Sequence, residues 1–358
     1  MLKPYFVNIK RFALRHKKIL IALLSIIVLT SIFELIAFYN STKKIDSNYE
    51  DYFSENYNSF KVTIPKNMTF AGEKVPVKEA GVRKAIAREL QKNIYEQTHS
   101  LFLHKRASRW FPVIEPILKK NDIPEDFKYL AIVESQLTNS VSPQGATGFW
   151  QLIDVTARGY GLEITSEVDE RYHVEKSTEA ACKYFKEAYK MFNNWTLVAA
   201  SYNRGMGGIQ SQLNKQNTEN YYKLLLTAET ARYIYKVLAV KEILARPHVY
   251  GYKISKKDLY GVPSLKKITI DSTIHDLTAF AIAQGYDRET LINLNPWLLS
   301  NSLTNTNKKK YVIVFPKKGT KLNDIEKEVL PIPTITNSLK DSSTTISTNL
   351  VPDSIKTN

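Results

Sequence analysis

The residues in this chain best suited to chemistry are a glutamate and the polar groups that recur behind it. Glu134 closes the run Tyr129-Leu130-Ala131-Ile132-Val133-Glu134-Ser135. Gly145-Ala146-Thr147-Gly148-Phe149-Trp150-Gln151 follows, and later Ser201-Tyr202-Asn203-Arg204-Gly205. A carboxylic acid protonates a leaving oxygen near neutral pH only if its pKa is raised. Burial against apolar neighbours raises it by disfavouring the charged form. Glu134 follows four apolar residues, so it sits where a buried helix ends. An acid there opposes the helix dipole, which points to some other reason for its presence. A glutamate at a helix end is also often merely exposed. The chemistry such an acid suits, facing a polar and aromatic groove, is proton delivery to a glycosidic oxygen.

The other two segments carry both a functional and a plain reading. Gly145 and Gly148 permit tight turns and close backbone approach to a ligand. Gln151 offers a donor and an acceptor to an acetamido group. Phe149 and Trp150 offer flat faces to sugar rings, or belong to an ordinary core. Tyr202 and Asn203 end a helix whose apolar part is Leu197, Val198, Ala199 and Ala200. Their polar ends converge on a scissile bond, or Asn203 and Gly205 simply cap that helix.

These groups need a scaffold. Helical periodicity runs with breaks from near Lys78 to about Arg246. Val82, Ile86, Leu90 and Ile94 mark one face of a helix over Ala80 to Thr98. Further helices are expected over Trp110–Lys120, from Pro124 into Glu134, over Ser177–Phe192, Asn194–Asn203 and Ala228–Ala245. After Pro247 the pattern changes to strands at Lys266–Ile270 and Tyr311–Phe315, with helices between them over Thr273–Gln284 and Arg288–Leu294. That order is a small α+β module. The expected fold is mainly α: an all-helical domain over residues 78–252 followed by the module over 265–318.

The ends read differently. Ile19 to Tyr39 is about the length of a bilayer span, with Glu34 its only charge. Six of the chain's +15 formal charges (Lys3, Lys10, Arg11, Arg15, Lys17 and Lys18) precede it, leaving nine on the rest. By the positive-inside rule, residues 1–18 are a cytoplasmic basic segment, 19–39 an uncleaved single-pass anchor, and the remainder extracytoplasmic. No small-x-small cleavage site follows the apolar run. Residues 40–77 read as a tether, and 331–358, rich in Ser, Thr and Asn, as a disordered tail.

Composition is globular, at 43% hydrophobic and 24% charged. The basic balance points to an anionic partner, but no basic-aromatic pattern of a nucleic-acid-binding kind is present, so nucleic acid is not expected. The single cysteine, Cys182, excludes an intrachain disulfide and reads as a small buried hydrophobe. His16, His99, His104, His173, His248 and His275 form no zinc-type pair, so no metal and no cofactor is expected.

The ordered series Glu134-Ser135, Gly145-x-x-Gly148-x-x-Gln151, Tyr202-Asn203-x-Gly205 and Glu229-Thr230-x-x-Tyr233 resembles the soluble-lytic-transglycosylase catalytic domain of the lysozyme-like superfamily. Similarity runs from about Val82 to Tyr252 and includes Asp169-Glu170-Arg171, Thr178-x-Ala180-Ala181 and Asn194-Trp195-x-Leu197. The resemblance implies a lysozyme-like fold and non-hydrolytic cleavage of the N-acetylmuramic acid–N-acetylglucosamine bond in peptidoglycan. It implies Glu134 as acid and then base. It further implies substrate contacts by Ser135, Gly148, Trp150, Gln151, Tyr202, Asn203 and Tyr233, with Glu229 in support. Residues 265–318 resemble a degenerate LysM domain, through Ile274-His275-Asp276-Leu277, Ala281, Gly285, Leu291, Leu294-Asn295-Pro296 and Val312–Pro316. That implies binding of N-acetylglucosamine-containing glycans, with the glycine usual near the first strand replaced around Asp271-Ser272. Glycan strands, the membrane and cell-wall remodelling complexes are the implied partners. Two departures stand out: Ser201 occupies a position where Ala is common, and the module occurs once. The competing readings are a muramidase in which Asp169 or Glu163 activates water, and a non-catalytic protein anchoring membrane to wall.

Overall fold

The structure is a computed structural model that describes Ile21, residues 28–37 and residues 62–320. Residues 28–37 form a helix, α1. Among the described residues, no helix is long and apolar enough to cross a membrane. The expected span over 19–39 lies about half outside the described residues, and the basic segment 1–18 and the tail 331–358 lie wholly outside them.

The segment read as a tether is different in its second half. Met68–Phe70 (β1) and Glu73–Val75 (β2) pair antiparallel, with Met68 opposite Val75. Met68, Phe70, Val75 and Val77 are buried in the main core, and the Phe70 ring lies 5.4 Å from Phe127. The Ala71 N–H donates to Asp126 Oδ2 at 2.7 Å. Two strands of three residues cannot stand alone; this hairpin exists because the helical body covers it. The polar composition around it hid four apolar side chains that are core.

The body is mainly helical. Ala80–Tyr95 (α2) buries Val82, Ile86, Leu90 and Ile94 and packs on Ala228–Ala245 (α9). Gln97–Lys120 (α3) runs unbroken past Pro112 and Pro116 and buries Leu103, Ala107, Ile114 and Leu118 against Val174–Phe192 (α6). Lys128–Ser135 (α4) lies on α9, and Asp154–Gly159 (α5) follows the loop after it. Trp195–Arg204 (α7) packs on α6, α9 and Met206–Gln216 (α8). The first free amides of α7 are met from two sides. Asn194 accepts from the Leu197 N–H at 2.8 Å, and Glu73 of β2 accepts from the Trp195 and Thr196 N–H groups at 2.6 and 2.9 Å.

The C-terminal module runs Leu265–Ile270 (β3), Leu277–Ala283 (α10), Arg288–Leu294 (α11) and Tyr311–Pro316 (β4), with β3 and β4 antiparallel. Asp276 and Asp287 cap its helices through the Thr278 and Thr290 N–H groups, each at 2.8 Å. Buried Asn295 ties α11 to β4: its amide donates to Val314 O and accepts from Val314 N–H, both at 2.8 Å. The module's core of Leu277, Ala281, Leu291, Trp297, Leu298, Leu303, Tyr311, Ile313 and Phe315 also takes in Val168 of the helical body.

Candidate active site

Glu134 is the penultimate residue of α4, whose Leu130, Ala131 and Ile132 are buried. The helix stops at Gln136, which turns left-handed (φ 58°), and Leu137 follows it there (φ 57°). Two consecutive non-glycine residues in that region store backbone strain beside the acid. The Tyr233 hydroxyl, from α9, donates to Glu134 Oε1 at 2.5 Å. Burial pushes the Glu134 carboxyl up to about 7; the Tyr233 hydrogen bond and Lys236 pull it back down, and Glu229 pushes it up. A carboxyl that titrates near neutrality can both give a proton and take one back, which a single acid–base group requires.

The two tyrosines are neutral donors. Burial, and then the neighbouring Glu134 charge, hold Tyr202 and Tyr233 well above the ordinary phenol value. Tyr202 donates to Trp150 O at 2.6 Å, which fastens α7 to the loop before α5. Asn203 bridges to α9. Its amide donates to Glu229 Oε1 at 3.2 Å and accepts from the Thr230 hydroxyl at 2.9 Å. Glu229 is exposed in the first turn of α9, where the helix dipole favours it. The next residue before Tyr233, Arg232, is clamped by buried Glu89 of α2 at 2.7 and 3.1 Å, which fixes the rotation of α9.

Three residues expected to touch substrate are turned to the interior. Trp150 is fully buried and its indole N–H donates to the Thr178 hydroxyl at 2.8 Å, so neither ring face is open. Ser135 is buried, with its hydroxyl 2.8 Å from Phe149 O and 3.1 Å from Ala131 O. It ties the acid's helix to the loop. Gly148 has φ +77°, and a Cβ there would lie 2.2 Å from the Arg171 carbonyl oxygen. That packing by itself requires glycine. Gln151, also left-handed (φ 47°), donates from Nε2 to Ser140 O at 2.9 Å and Gly148 O at 3.0 Å.

The carboxylates proposed for a hydrolase are committed elsewhere. Asp169 is buried and paired with Arg171, with Nη2 to Oδ2 at 2.7 Å. Glu163 accepts from the Tyr311 hydroxyl at 2.9 Å and pairs with Lys309. Cys182 is buried, and burial pushes its thiol up to about 12. Among the described residues, no group of three or more His, Cys, Asp and Glu side chains is placed to hold a metal ion.

Residues that sequence reasoning missed are Lys236, which moderates the acid, and Arg171, which holds the loop. Lys236 lies three residues beyond Tyr233, on the same face of a helix whose limits the sequence shows. That spacing was an available signal.

Residues 111–225 match the family described as Transglycosylase SLT domain, and residues 266–319 match that described as Soluble lytic transglycosylase C-terminal LysM-like domain. The first match holds Glu134, the Gly145–Gln151 loop, Tyr202 and Asn203; Glu229 and Tyr233 follow it. In sequence the chain thus resembles the lytic transglycosylases. In particular, the chain is similar to membrane-bound lytic murein transglycosylase D of Escherichia coli, 31% identical over 179 residues, which is 48% of this chain and 40% of that protein. The chain thus spans less than half the length of this curated relative. A putative tributyltin chloride resistance protein of an Alteromonas strain is 28% identical over 130 residues, 36% of this chain and 62% of that protein. Among solved structures, the 70 kDa soluble lytic transglycosylase of Escherichia coli aligns with a TM-score of 0.36 and 18% identity, over 53% of this chain and 33% of that one.

Proposed function

We propose that the chain is a peptidoglycan lytic transglycosylase with Glu134 as its only acid–base group. The observation that carries this is the Glu134–Tyr233 pair: a carboxyl whose pKa lies near 7, held by a neutral phenol at 2.5 Å. Protonated Glu134 gives its proton to the oxygen linking N-acetylmuramic acid to N-acetylglucosamine, and the C1–O bond breaks. The resulting carboxylate, stabilised by Tyr233, removes the proton of the muramoyl 6-hydroxyl as O6 bonds to C1. The product is a 1,6-anhydromuramoyl end; no water is consumed and Glu134 ends protonated. The 2-acetamido group assists at C1, so no second carboxylate is required, in contrast to the usual two-carboxylate scheme.

Gln151, Tyr202 and Asn203 line the approach to Glu134 in this reading, and Glu229 holds Asn203. Ser135, Gly148 and Trp150 act through the loop they build. The C-terminal module adds affinity for glycan. The apolar run 19–39 anchors the chain with its N-terminus in the cytoplasm and the enzyme in the periplasm, where wall-remodelling complexes are its partners. Peptidoglycan as substrate is supported by the two family matches and the murein-directed relative. The hydrolase reading is disfavoured because Asp169 and Glu163 are already paired, with Arg171 and Lys309 respectively. The test is Glu134→Gln on purified sacculi. Loss of soluble product with retained binding supports catalysis; unchanged product release removes the mechanism.

A further inference from the structure

The guanidinium of Arg171 is used on both sides. Its Nε lies 3.0 Å from Asp169 Oδ1, and Nη2 lies 2.7 Å from Oδ2. Nη1 donates to Gly145 O at 3.0 Å and Leu152 O at 3.3 Å. It therefore clasps both ends of the loop whose middle is bonded to Ser135, the residue after the acid. Within that loop, Phe149 O accepts from Ser135, the residue after Glu134, and Trp150 O accepts from Tyr202. Gly148 rests directly on the Arg171 carbonyl.

Asp169, the other half of the pair, belongs to a segment shared with the C-terminal module. Its N–H donates to Trp297 O at 2.9 Å, and the Leu299 N–H donates to Glu167 O at 2.8 Å. Between them Val168 enters the module's core. The Glu167 carboxylate accepts from the Ser302 hydroxyl at 2.5 Å and the Thr304 N–H at 2.7 Å. One short segment thus carries the module on one side and, two residues on, the clasp of the catalytic loop on the other.

We propose that Arg171 is a positioning residue for Glu134, and that docking of the C-terminal module on residues 167–169 sets that position. The inference rests on the reading of Glu134 as the acid. The module then has a role in turnover beyond any affinity for glycan, because its seat is continuous with the loop that orients the acid's helix. Arginine suits the place: its planar fork spans a carboxylate and two carbonyls at once, which a lysine ammonium on a flexible stem does not.

The experiment uses the whole chain in detergent, with Arg171→Met, Arg171→Lys and Glu167→Ala beside wild type and Glu134→Gln. Turnover is measured on soluble glycan strands, and binding by co-sedimentation with sacculi. Arg171→Met is expected to lower kcat about 100-fold, the scale of an ångström's misplacement of a catalytic group, with KM and co-sedimentation near wild type. Arg171→Lys should recover little of the loss. Glu167→Ala, at the seat of the module, should lower kcat less, again at constant KM. Retained kcat in Arg171→Met, or a loss carried by KM and binding instead, overturns the positioning role. Full kcat in Glu167→Ala overturns the coupling to the module, and that variant decides alone if Arg171→Met does not fold. The first two samples separate this from the acid reading. An active wild type with an inactive Glu134→Gln leaves only the Arg171 inference at stake. An inactive wild type, or an active Glu134→Gln, removes both.

Discussion

The Tyr233 hydroxyl donates a 2.5 Å hydrogen bond to Glu134 Oε1, joining the end of α4 to α9 across the candidate site. The bond stabilises the charged carboxylate, whereas burial stabilises the neutral acid. Their balance leaves the pKa near 7, and it can be moved experimentally. Tyr233→Phe removes the part that lowers the pKa, so the Glu134 pKa should rise. Because the first step needs the protonated acid, the rate of wild type should fall as pH increases through about 7. In Tyr233→Phe that fall should move to higher pH, with kcat at neutral pH reduced by about 10-fold or more for the lost support of the base form. A rate–pH profile for both proteins checks the shift.

The same raised pKa has a cost in stability. A carboxyl moving from 4.5 in the unfolded chain to about 7 in the fold binds its proton more tightly when folded. Its favourable contribution is complete below pH 4.5 and is lost as pH rises through 7, amounting to about 3 kcal/mol. Glu134→Gln, which keeps an acceptor for Tyr233 and cannot ionise, should therefore raise Tm relative to wild type at pH 8 and leave it nearly unchanged at pH 4. Thermal melts at the two pH values measure this. An equal effect at both would show that ionisation of Glu134 is not responsible.

Gly148→Ala should be costly without touching any proton donor. The added Cβ meets the Arg171 carbonyl at 2.2 Å, and the backbone is held at φ +77°. Overpacking and left-handed strain together predict a loss of about 3 kcal/mol. Chemical denaturation of the two proteins reads it directly.

The β1–β2 hairpin is expected to be integral to the body. Phe70 is fully buried against Phe127, so Phe70→Ala should cost about 4 kcal/mol. Glu73→Ala, which uncaps α7, should cost about 1–3 kcal/mol. Midpoints of urea unfolding test both; wild-type midpoints would mean that the hairpin contributes nothing.

How much of this was legible in the sequence differs residue by residue. The limits of α9 could be read directly, since Ala228–Ala245 is a long run without Gly or Pro that is stopped by Pro247. The apolar run before Glu134 foretold a buried acid, because burial in a helix leaves a pattern in the chain. Trp150 was misjudged because residue type does not distinguish a sugar platform from a core ring; only its bond to Thr178 and its lack of exposure do. The hairpin escaped because each strand is three residues long and is held by tertiary contacts. Arg171 was visible within Asp169-Glu170-Arg171 but had no assignable task. Its partners beyond Asp169 are the carbonyls of Gly145 and Leu152, and backbone acceptors leave no signature in sequence.

The most direct test of the central claim is mass spectrometry of the fragments released from purified sacculi in ¹⁸O-labelled water. The account predicts 1,6-anhydromuramoyl ends carrying no label, absent with Glu134→Gln. Reducing muramoyl ends, heavier by one labelled water, would contradict it and assign a hydrolase to this fold.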